Sequence, residues 1–220
     1  MQKFLAGVVL LGWLLTGCYH DSWIRERPPV ILPGTQSNKV VLPIDGGRPS
    51  PDRSTDQPPV EPLVDWCHPR DGRISSRWTW IVIHHSATES GGAACFDRAH
   101  QRNGWDELGY HFVIGNGTDT PDGQIEVGTR WHKQKHGAHC KTPGNYYNNH
   151  GIGICLVGNF EKTAPTLLQL EALDELLRFL CNACGIPPER VTTHSEVTHK
   201  TLCPGRKFGI ESVRRRLKGN

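Results

Sequence analysis

Ile81-Val82-Ile83-His84-His85-Ser86 has the pattern of a buried β-strand ending in two imidazoles. Its first three residues are β-branched and follow Trp78 and Trp80, a composition typical of a central strand. A histidine at the end of such a strand lies at the rim of a rigid sheet, where metal sites and active sites are commonly built. The stretch therefore predicts a sheet with a functional site at one strand end.

Strand-like and helix-like segments alternate from residue 66 onward, which predicts a single α/β domain over residues 66–220. We expect a central mixed β-sheet flanked by helices. The long helix has clear end signals, because Thr166 can cap its start and Gly185 follows its end. Strands are predicted at 79–84, 110–115, 123–128 and 151–157, and helices at 94–103, 165–184 and 208–217.

The charge balance bears on the class of partner. The 220-residue chain has a net charge of +3 with histidine neutral, which is far from the strongly basic profile of a nucleic-acid binder. We therefore expect no nucleic-acid partner, and we expect a monomer.

The N-terminus carries an export pattern in residues 1–18. Met1-Gln2-Lys3 is followed by an apolar run over 4–15 that is too short to span a bilayer comfortably. The run ends in Leu15-Thr16-Gly17-Cys18, which resembles the lipobox of bacterial lipoproteins. That resemblance implies a lipid anchor on Cys18, with the protein at the periplasmic face of the outer membrane or in the cell envelope. The alternative is an ordinary signal peptide or a short anchor.

Residues 19–65 have the composition of a linker. Nine of the sixteen prolines in the chain fall there, and proline favours extended, semi-rigid backbone. The segment predicts a spacer between a membrane anchor and the folded domain.

Three residues have the chemistry of a metal site. His84 ends the first strand, His194 follows the strand-like run Val191-Thr192-Thr193, and Cys203 lies in the loop beyond it. Two histidines and a thiolate, with a fourth position left to water, are typical of catalytic zinc rather than structural zinc. Two alternatives stay open at this point: histidines that merely satisfy the core, and a structural zinc domain in which His199 is a fourth ligand.

Seven short motifs occur in a fixed order between residues 78 and 208. They are Val82 to Thr88, His100 to Trp105, Gly109-Tyr110-His111-Phe112, Gly137-Ala138-His139, Tyr147-Asn148, Gly151-Ile152-Gly153-Ile154, and His194 to Gly205. Together they resemble the motifs of the type 2 N-acetylmuramoyl-L-alanine amidases, a family that includes phage amidases and animal peptidoglycan recognition proteins.

The resemblance implies a role for each matching residue. His84, His194 and Cys203 correspond to the zinc ligands, and Tyr110 to a tyrosine that assists the attacking water or the oxyanion. Catalytic help beside Cys203 is assigned to Thr201 by register, with Lys200 as the alternative, because this loop is one residue longer than the usual pattern. The residues implied to contact substrate are His139, Asn148, Trp131 and Arg130.

The resemblance also implies an activity, namely zinc-dependent hydrolysis of the amide between N-acetylmuramic acid and L-alanine in peptidoglycan. The alternative is a peptidoglycan-binding module without catalysis. Whether the preferred stem peptide carries diaminopimelate or lysine stays open.

Six further cysteines remain in an exported chain, where disulfides are allowed. Cys155 lies in an apolar run and is predicted to be a buried free thiol. For Cys181 and Cys184 we expect packing or a local disulfide, with a redox or metal pair as the alternative. One disulfide is expected among Cys67, Cys95 and Cys140.

Overall fold

The computed structural model describes residues 68–219, which form a mixed five-stranded sheet with helices packed on it. The predicted fold class is therefore confirmed. The predicted export signal over 1–18 and the linker over 19–65 lie outside the described residues, and so do Cys18 and Cys67. Within residues 68–219, no helix combines the length and apolar character needed to cross a membrane.

The sheet has the strand order β3-β2-β4-β1-β5. β4 is central, and the interior strand β1 pairs in parallel with β4 and β5, while β2 pairs in parallel with β4 and antiparallel with β3. The strands are β1 Trp80–His85, β2 Phe112–Ile114, β3 Ile125–Val127, β4 Gly151–Leu156 and β5 Val191–Thr193. Because β1 and β5 run in parallel, their C-terminal ends meet at one edge of the sheet.

Three helices match the predicted ones, and three short helices were not predicted. The matches are α1 Ala93–Arg102, α4 Leu167–Cys184 and α6 Ile210–Lys218; the additions are α2 Thr129–His132, α3 Tyr146–His150 and α5 His194–Thr198. The short helices span only four or five residues, which is too few for a helical period to show in a sequence.

The ends of α4 follow the predicted signals. The Thr166 side chain accepts a hydrogen bond from the backbone N–H of Gln169, and the Gln169 side-chain oxygen accepts one from the backbone N–H of Thr166. Gly185 closes the helix in the left-handed region at φ 65°. The Gln169 amide also donates to the carbonyl oxygens of Ile114 and Val157, which ties the helix to the ends of two strands.

Strand alternation gives the sheet two different faces. On one face, α4 covers a wholly apolar layer, drawn from the alternate residues Ile81, Ile83, Ile152, Ile154 and Leu156 of the two central strands. On the other face lie Val82, His84, Gly151, Gly153 and Cys155. The candidate site is built on this second face.

Candidate metal centre

The structure brings His84, His194 and Cys203 together. His84 lies near the C-terminal end of β1, and His194 begins α5 directly after the neighbouring strand β5. Cys203 returns to the same edge in the loop after α5. The ligand atoms of the three residues all lie within 4.8 Å of one another. Among residues 68–219 this is the one group of its kind, and the exposed His199 is not part of it.

Backbone contacts hold the loop that carries Cys203. The N–H of Ser195 donates to the carbonyl oxygen of Cys203 at 2.7 Å, and the N–H of His85 donates to the Cys203 Sγ at 3.4 Å. Gly205 has φ 110°, and a Cβ there would lie 2.4 Å from the carbonyl carbon of Phe160. Only glycine allows this close approach, so the backbone path after Cys203 depends on Gly205.

The distance between the donor atoms of His84 and Cys203 fits a zinc ion. His84 Nδ1 lies 3.8 Å from Cys203 Sγ. In a tetrahedral zinc site with a zinc–nitrogen bond of about 2.0–2.1 Å and a zinc–sulfur bond of about 2.3 Å, the nitrogen and the sulfur are about 3.6 Å apart. The rings of His84 and His194 have centroids 4.7 Å apart. Two imidazoles and one thiol supply three of four tetrahedral positions, which leaves one open for chemistry.

The protonation states also suit a cation. Burial, with smaller contributions from His139, His194 and His85, holds the pKa of His84 well below its ordinary value, and burial likewise lowers the pKa of His194. Both imidazoles are therefore neutral near pH 7, the form that binds metals. Burial raises the pKa of the Cys203 thiol to about 12, so this thiol needs a cation beside it to lose its proton.

His139 and Asn148 support the centre from within the protein. His84 Nε2 lies 3.0 Å from His139 Nδ1, and His139 Nε2 lies 3.2 Å from the carbonyl oxygen of Gly151. The Asn148 Oδ1 accepts from the backbone N–H groups of His139 and Cys140, both at 2.9 Å. These hydrogen bonds give His139 and Asn148 a place inside the protein next to a ligand, and their contact with substrate stays a prediction.

Trp131 and Arg130 are not placed for substrate contact. The Trp131 side chain has no exposed surface and lies in the apolar core, while Arg130 is 1% exposed. The Arg130 guanidinium donates to the carbonyl oxygens of Leu108 and His136 and to the carboxylate of Asp106. A side chain without accessible surface has no face to offer a ligand. Arg130 braces the segment that precedes Tyr110, whereas Trp131 packs beside Trp78 and Phe112.

Tyr110 and Thr201 lie beside the three ligands, whereas Lys200 is exposed. The Tyr110 ring centroid is 5.3 Å from that of His84. Burial, together with the nearby thiols of Cys155 and Cys203, raises the pKa of Tyr110 well above its ordinary value, so its hydroxyl stays a donor. The Thr201 hydroxyl accepts from the N–H of Cys203 at 3.1 Å, which places it next to a ligand.

A family model described as N-acetylmuramoyl-L-alanine amidase (Amidase_2) matches residues 75–206, which include all three candidate ligands and Tyr110. The chain belongs to this amidase family. The match begins shortly before β1 and ends just after Cys203, so it covers the whole sheet and the candidate centre.

Individual relatives agree with the family. A peptidoglycan-recognition protein of Drosophila simulans is 29% identical over 163 residues, covering 67% of this chain and 81% of the relative. An N-acetylmuramoyl-L-alanine amidase of Sus scrofa is 30% identical over 138 residues, covering 57% of this chain but only 21% of that longer protein. Among solved structures, the amidase LysC from Clostridium intestinale URNW superposes with a TM-score of 0.53 at 29% identity, over 66% of this chain and 90% of that one.

A second solved structure carries a ligand. It is peptidoglycan recognition protein LE in complex with tracheal cytotoxin, described as monomeric diaminopimelic acid-type peptidoglycan. This structure superposes with a TM-score of 0.51 at 26% identity and covers 64% of this chain and 82% of its own.

Sequence reasoning missed the contacts of the buried layer beside the amidase-family site. His111 is fully buried, and its Nδ1 accepts from the N–H of Gly153 while its Nε2 lies 3.0 Å from the carbonyl oxygen of Lys135. Gly137 and Gly153 leave the space that the His139 ring fills. The alternate glycines at 151 and 153 were the available signal, because missing side chains on one strand face leave room for a ring above it.

The cysteine predictions have mixed outcomes. Cys155 is a buried free thiol, as predicted, and it lies opposite His84 in the β1–β4 register. Cys140, Cys181 and Cys184 are free. Of the two expectations for Cys181 and Cys184, packing is confirmed, because both lie against the apolar core, and the local disulfide is not formed. Cys95 is disulfide-bonded.

Proposed function

We propose that the protein is a zinc-dependent N-acetylmuramoyl-L-alanine amidase that hydrolyses the amide between N-acetylmuramic acid and L-alanine in peptidoglycan. The observation that carries the proposal is the convergence of His84, His194 and Cys203 within 4.8 Å, beside Tyr110, in a chain of this family. A module that only recognises peptidoglycan has no need for three metal ligands around an open position.

The three ligands would hold zinc, which when bound supplies Lewis-acid activation of water and of the scissile carbonyl. The chain's own residues then act around that carbonyl. The Tyr110 hydroxyl, kept protonated by its raised pKa, can donate a hydrogen bond to the negative charge that develops on the carbonyl oxygen. The Thr201 hydroxyl, fixed beside Cys203, is the better placed of the two candidates for helping the amine leave.

The proposal is tested by digesting purified peptidoglycan with the purified protein and counting the amino termini released. We expect free L-alanine amino termini, loss of activity with a chelator and recovery with added zinc. Cys203→Ala should lower activity by at least about 1,000-fold, because residues that merely support a ligand already cost 10–100-fold. Cys181→Ala removes a free cysteine at the far end of α4 and should keep full activity.

Other outcomes separate the alternatives. Binding to peptidoglycan without release of amino termini would establish a recognition module and contradict the proposal. Thr201→Val should slow hydrolysis at least tenfold while Lys200→Ala changes it less than threefold, because a hydrogen bond made in the transition state is worth roughly 10²-fold or more. The reverse order would assign the role to Lys200.

We also propose that the protein acts as an exported lipoprotein anchored through Cys18. The Leu15-Thr16-Gly17-Cys18 pattern supports this, and so does the disulfide at Cys95, since disulfides persist mainly in oxidising compartments. Cys18→Ala should move the protein from the membrane fraction of expressing bacteria to the soluble fraction. Retention in the membrane fraction would contradict the lipid anchor.

The type of stem peptide in the substrate is a separate question. Because the recognition protein LE binds a diaminopimelate-type fragment, we propose that stem peptides of this type are accepted. Mass spectrometry of muropeptides from diaminopimelate-type and lysine-type walls, digested in parallel, would measure the preference.

A further inference from the structure

We propose that His139 is a positioning residue that keeps the proton of His84 on Nε2 and thereby presents the lone pair of His84 Nδ1 to the metal. This inference rests on the proposed zinc site, and it assigns to His139 a role other than contact with substrate. The inference starts from two consecutive hydrogen bonds, one between His84 and His139 and one between His139 and the carbonyl of Gly151.

The direction of the hydrogen bonds follows from the last group in the chain. A carbonyl oxygen only accepts, so the His139 Nε2 that lies 3.2 Å from the oxygen of Gly151 must carry the proton. A neutral imidazole has one protonated nitrogen, so His139 Nδ1 is an acceptor. His84 Nε2, at 3.0 Å from that acceptor, must then donate.

The consequence reaches the ligand cluster. With its proton held on Nε2, the His84 ring has a lone pair on Nδ1, and this is the nitrogen that faces Cys203 Sγ at 3.8 Å. The opposite tautomer would turn an N–H toward the metal position and would set two lone pairs against each other between His84 and His139. The hydrogen bond on the far nitrogen of a ligating histidine decides which nitrogen can bind metal.

The space around His139 is shaped for its ring. A Cβ at Gly137 or at Gly153 would lie 2.3 or 2.4 Å from the His139 Cδ2, so a larger residue at either position would displace the ring. The Asn148 Oδ1 fixes the backbone at His139 from the other side. These contacts leave the His139 ring little freedom to turn away from His84.

His111 provides an internal comparison in the same buried layer. Its Nδ1 accepts from the N–H of Gly153 at 2.9 Å, and its Nε2 lies 3.0 Å from the carbonyl oxygen of Lys135. Both ring nitrogens of His111 are therefore hydrogen-bonded to backbone groups, and neither bond joins His111 to one of the three candidate metal ligands. A change at His111 disturbs a buried histidine without touching the tautomer of His84.

Two substitutions at His139 separate its two nitrogens. The Oδ1 of asparagine takes nearly the place of Nδ1, whereas the Nε2 of glutamine takes nearly the place of Nε2. His139→Asn therefore keeps an acceptor for His84, and His139→Gln keeps only the anchor to Gly151. Zinc affinity of the purified protein, measured by competition with a chromophoric chelator, should fall about 10–100-fold for His139→Gln and less than about threefold for His139→Asn.

Two further measurements exclude a merely structural effect. His111→Gln should lower the urea midpoint of unfolding while leaving zinc affinity within about twofold of the wild type. In the zinc-free wild-type protein, long-range ¹H–¹⁵N correlation spectra should place the His84 proton on Nε2, and His139→Gln should mix the two tautomers.

The inference is overturned if His139→Gln binds zinc as tightly as the wild type, or if the His84 proton lies on Nδ1. Equal losses of zinc affinity in the asparagine and glutamine variants would also overturn it, because the loss would then come from altered packing and not from the missing hydrogen-bond acceptor for His84. A wild-type protein that binds zinc and shows these effects but releases no amino termini would contradict the proposed activity alone. A wild type that binds no zinc would overturn both.

Discussion

The two faces of the central sheet are built from alternate residues of the same strands, yet only one of them carries titratable side chains that could bind a metal. On the face toward α4, Ile81 and Ile83 pack against fully buried leucines such as Leu177, with no titratable side chain between them. On the opposite face, His84 lies among His139, His194 and Cys203. The first face is an apolar core, while the second brings the candidate metal ligands together.

One strand can therefore contribute to stability through one face and to chemistry through the other. The apolar face gains free energy from burial, about 25 cal/mol per Å² of apolar surface. The histidine face loses part of that gain because buried imidazoles must each find a partner. The partners found there, His139 for His84 and two backbone groups for His111, meet that requirement without adding a charge.

The largest effect on stability is expected from the apolar face. Leu177→Ala removes a fully buried side chain and should lower the free energy of unfolding by about 3 kcal/mol, within the usual range of 2–5 kcal/mol. Zinc affinity should stay within about twofold, because the site lies on the other side of the sheet. Urea unfolding and chelator competition measure the two quantities. A large loss of zinc affinity would show that the faces are coupled.

Gly153→Ala should affect both properties, because it puts a methyl group on the histidine face. The added Cβ would lie 2.4 Å from His139 Cδ2, so we expect a loss of about 1–3 kcal/mol in stability and about tenfold in zinc affinity. Gly209→Ala is the matched control, since a Cβ there meets only Ser212 at 3.8 Å. Unchanged zinc affinity in Gly153→Ala would refute the account of a shaped space for His139.

A smaller effect is expected from the charged network that braces the segment before Tyr110. Burial acts to raise the pKa of Glu107, but hydrogen bonds from Thr129, Lys135 and Lys133 outweigh it and hold the pKa at about 2. A carboxylate with a depressed pKa stabilises the fold above its unfolded pKa, and this stability is lost as the pH falls from about 4.5 to about 2.

Glu107→Gln should therefore lower stability by roughly 1–2 kcal/mol at pH 7 and flatten the acid dependence of the urea midpoint. Glu89→Gln is the control, since the Glu89 carboxylate forms an exposed ion pair with Lys162. An acid dependence that is as steep in Glu107→Gln as in the wild type would contradict this role.

The sequence predicted the parts of this molecule that depend on local patterns. The strand Ile81 to His85 and the long helix α4 were predicted because alternation, capping and a terminal glycine are all short-range signals. Leu167 shows the limit of such patterns, because it continues the leucine spacing of α4 but is 71% exposed at the helix start.

The candidate site was predicted in part. His84, His194 and Cys203 were proposed together from residue chemistry and family resemblance, and the structure brings them together. The sequence placed Arg130 and Trp131 at the substrate, whereas both are buried. Burial depends on which segments cover a residue, and that depends on contacts far apart in the chain. The pairing of His84 with His139 across 55 positions has the same origin.

We propose that the histidine face is an open zinc centre with three protein ligands. X-ray absorption spectroscopy of the zinc-loaded protein, with zinc quantified in the same sample, tests it most directly. We expect one zinc per chain, one sulfur at about 2.3 Å and nitrogen or oxygen neighbours at about 2.0–2.1 Å, two of them imidazole nitrogens. The sulfur signal should disappear in Cys203→Ala. Absence of bound zinc, or four protein ligands with no exchangeable position, would contradict the account.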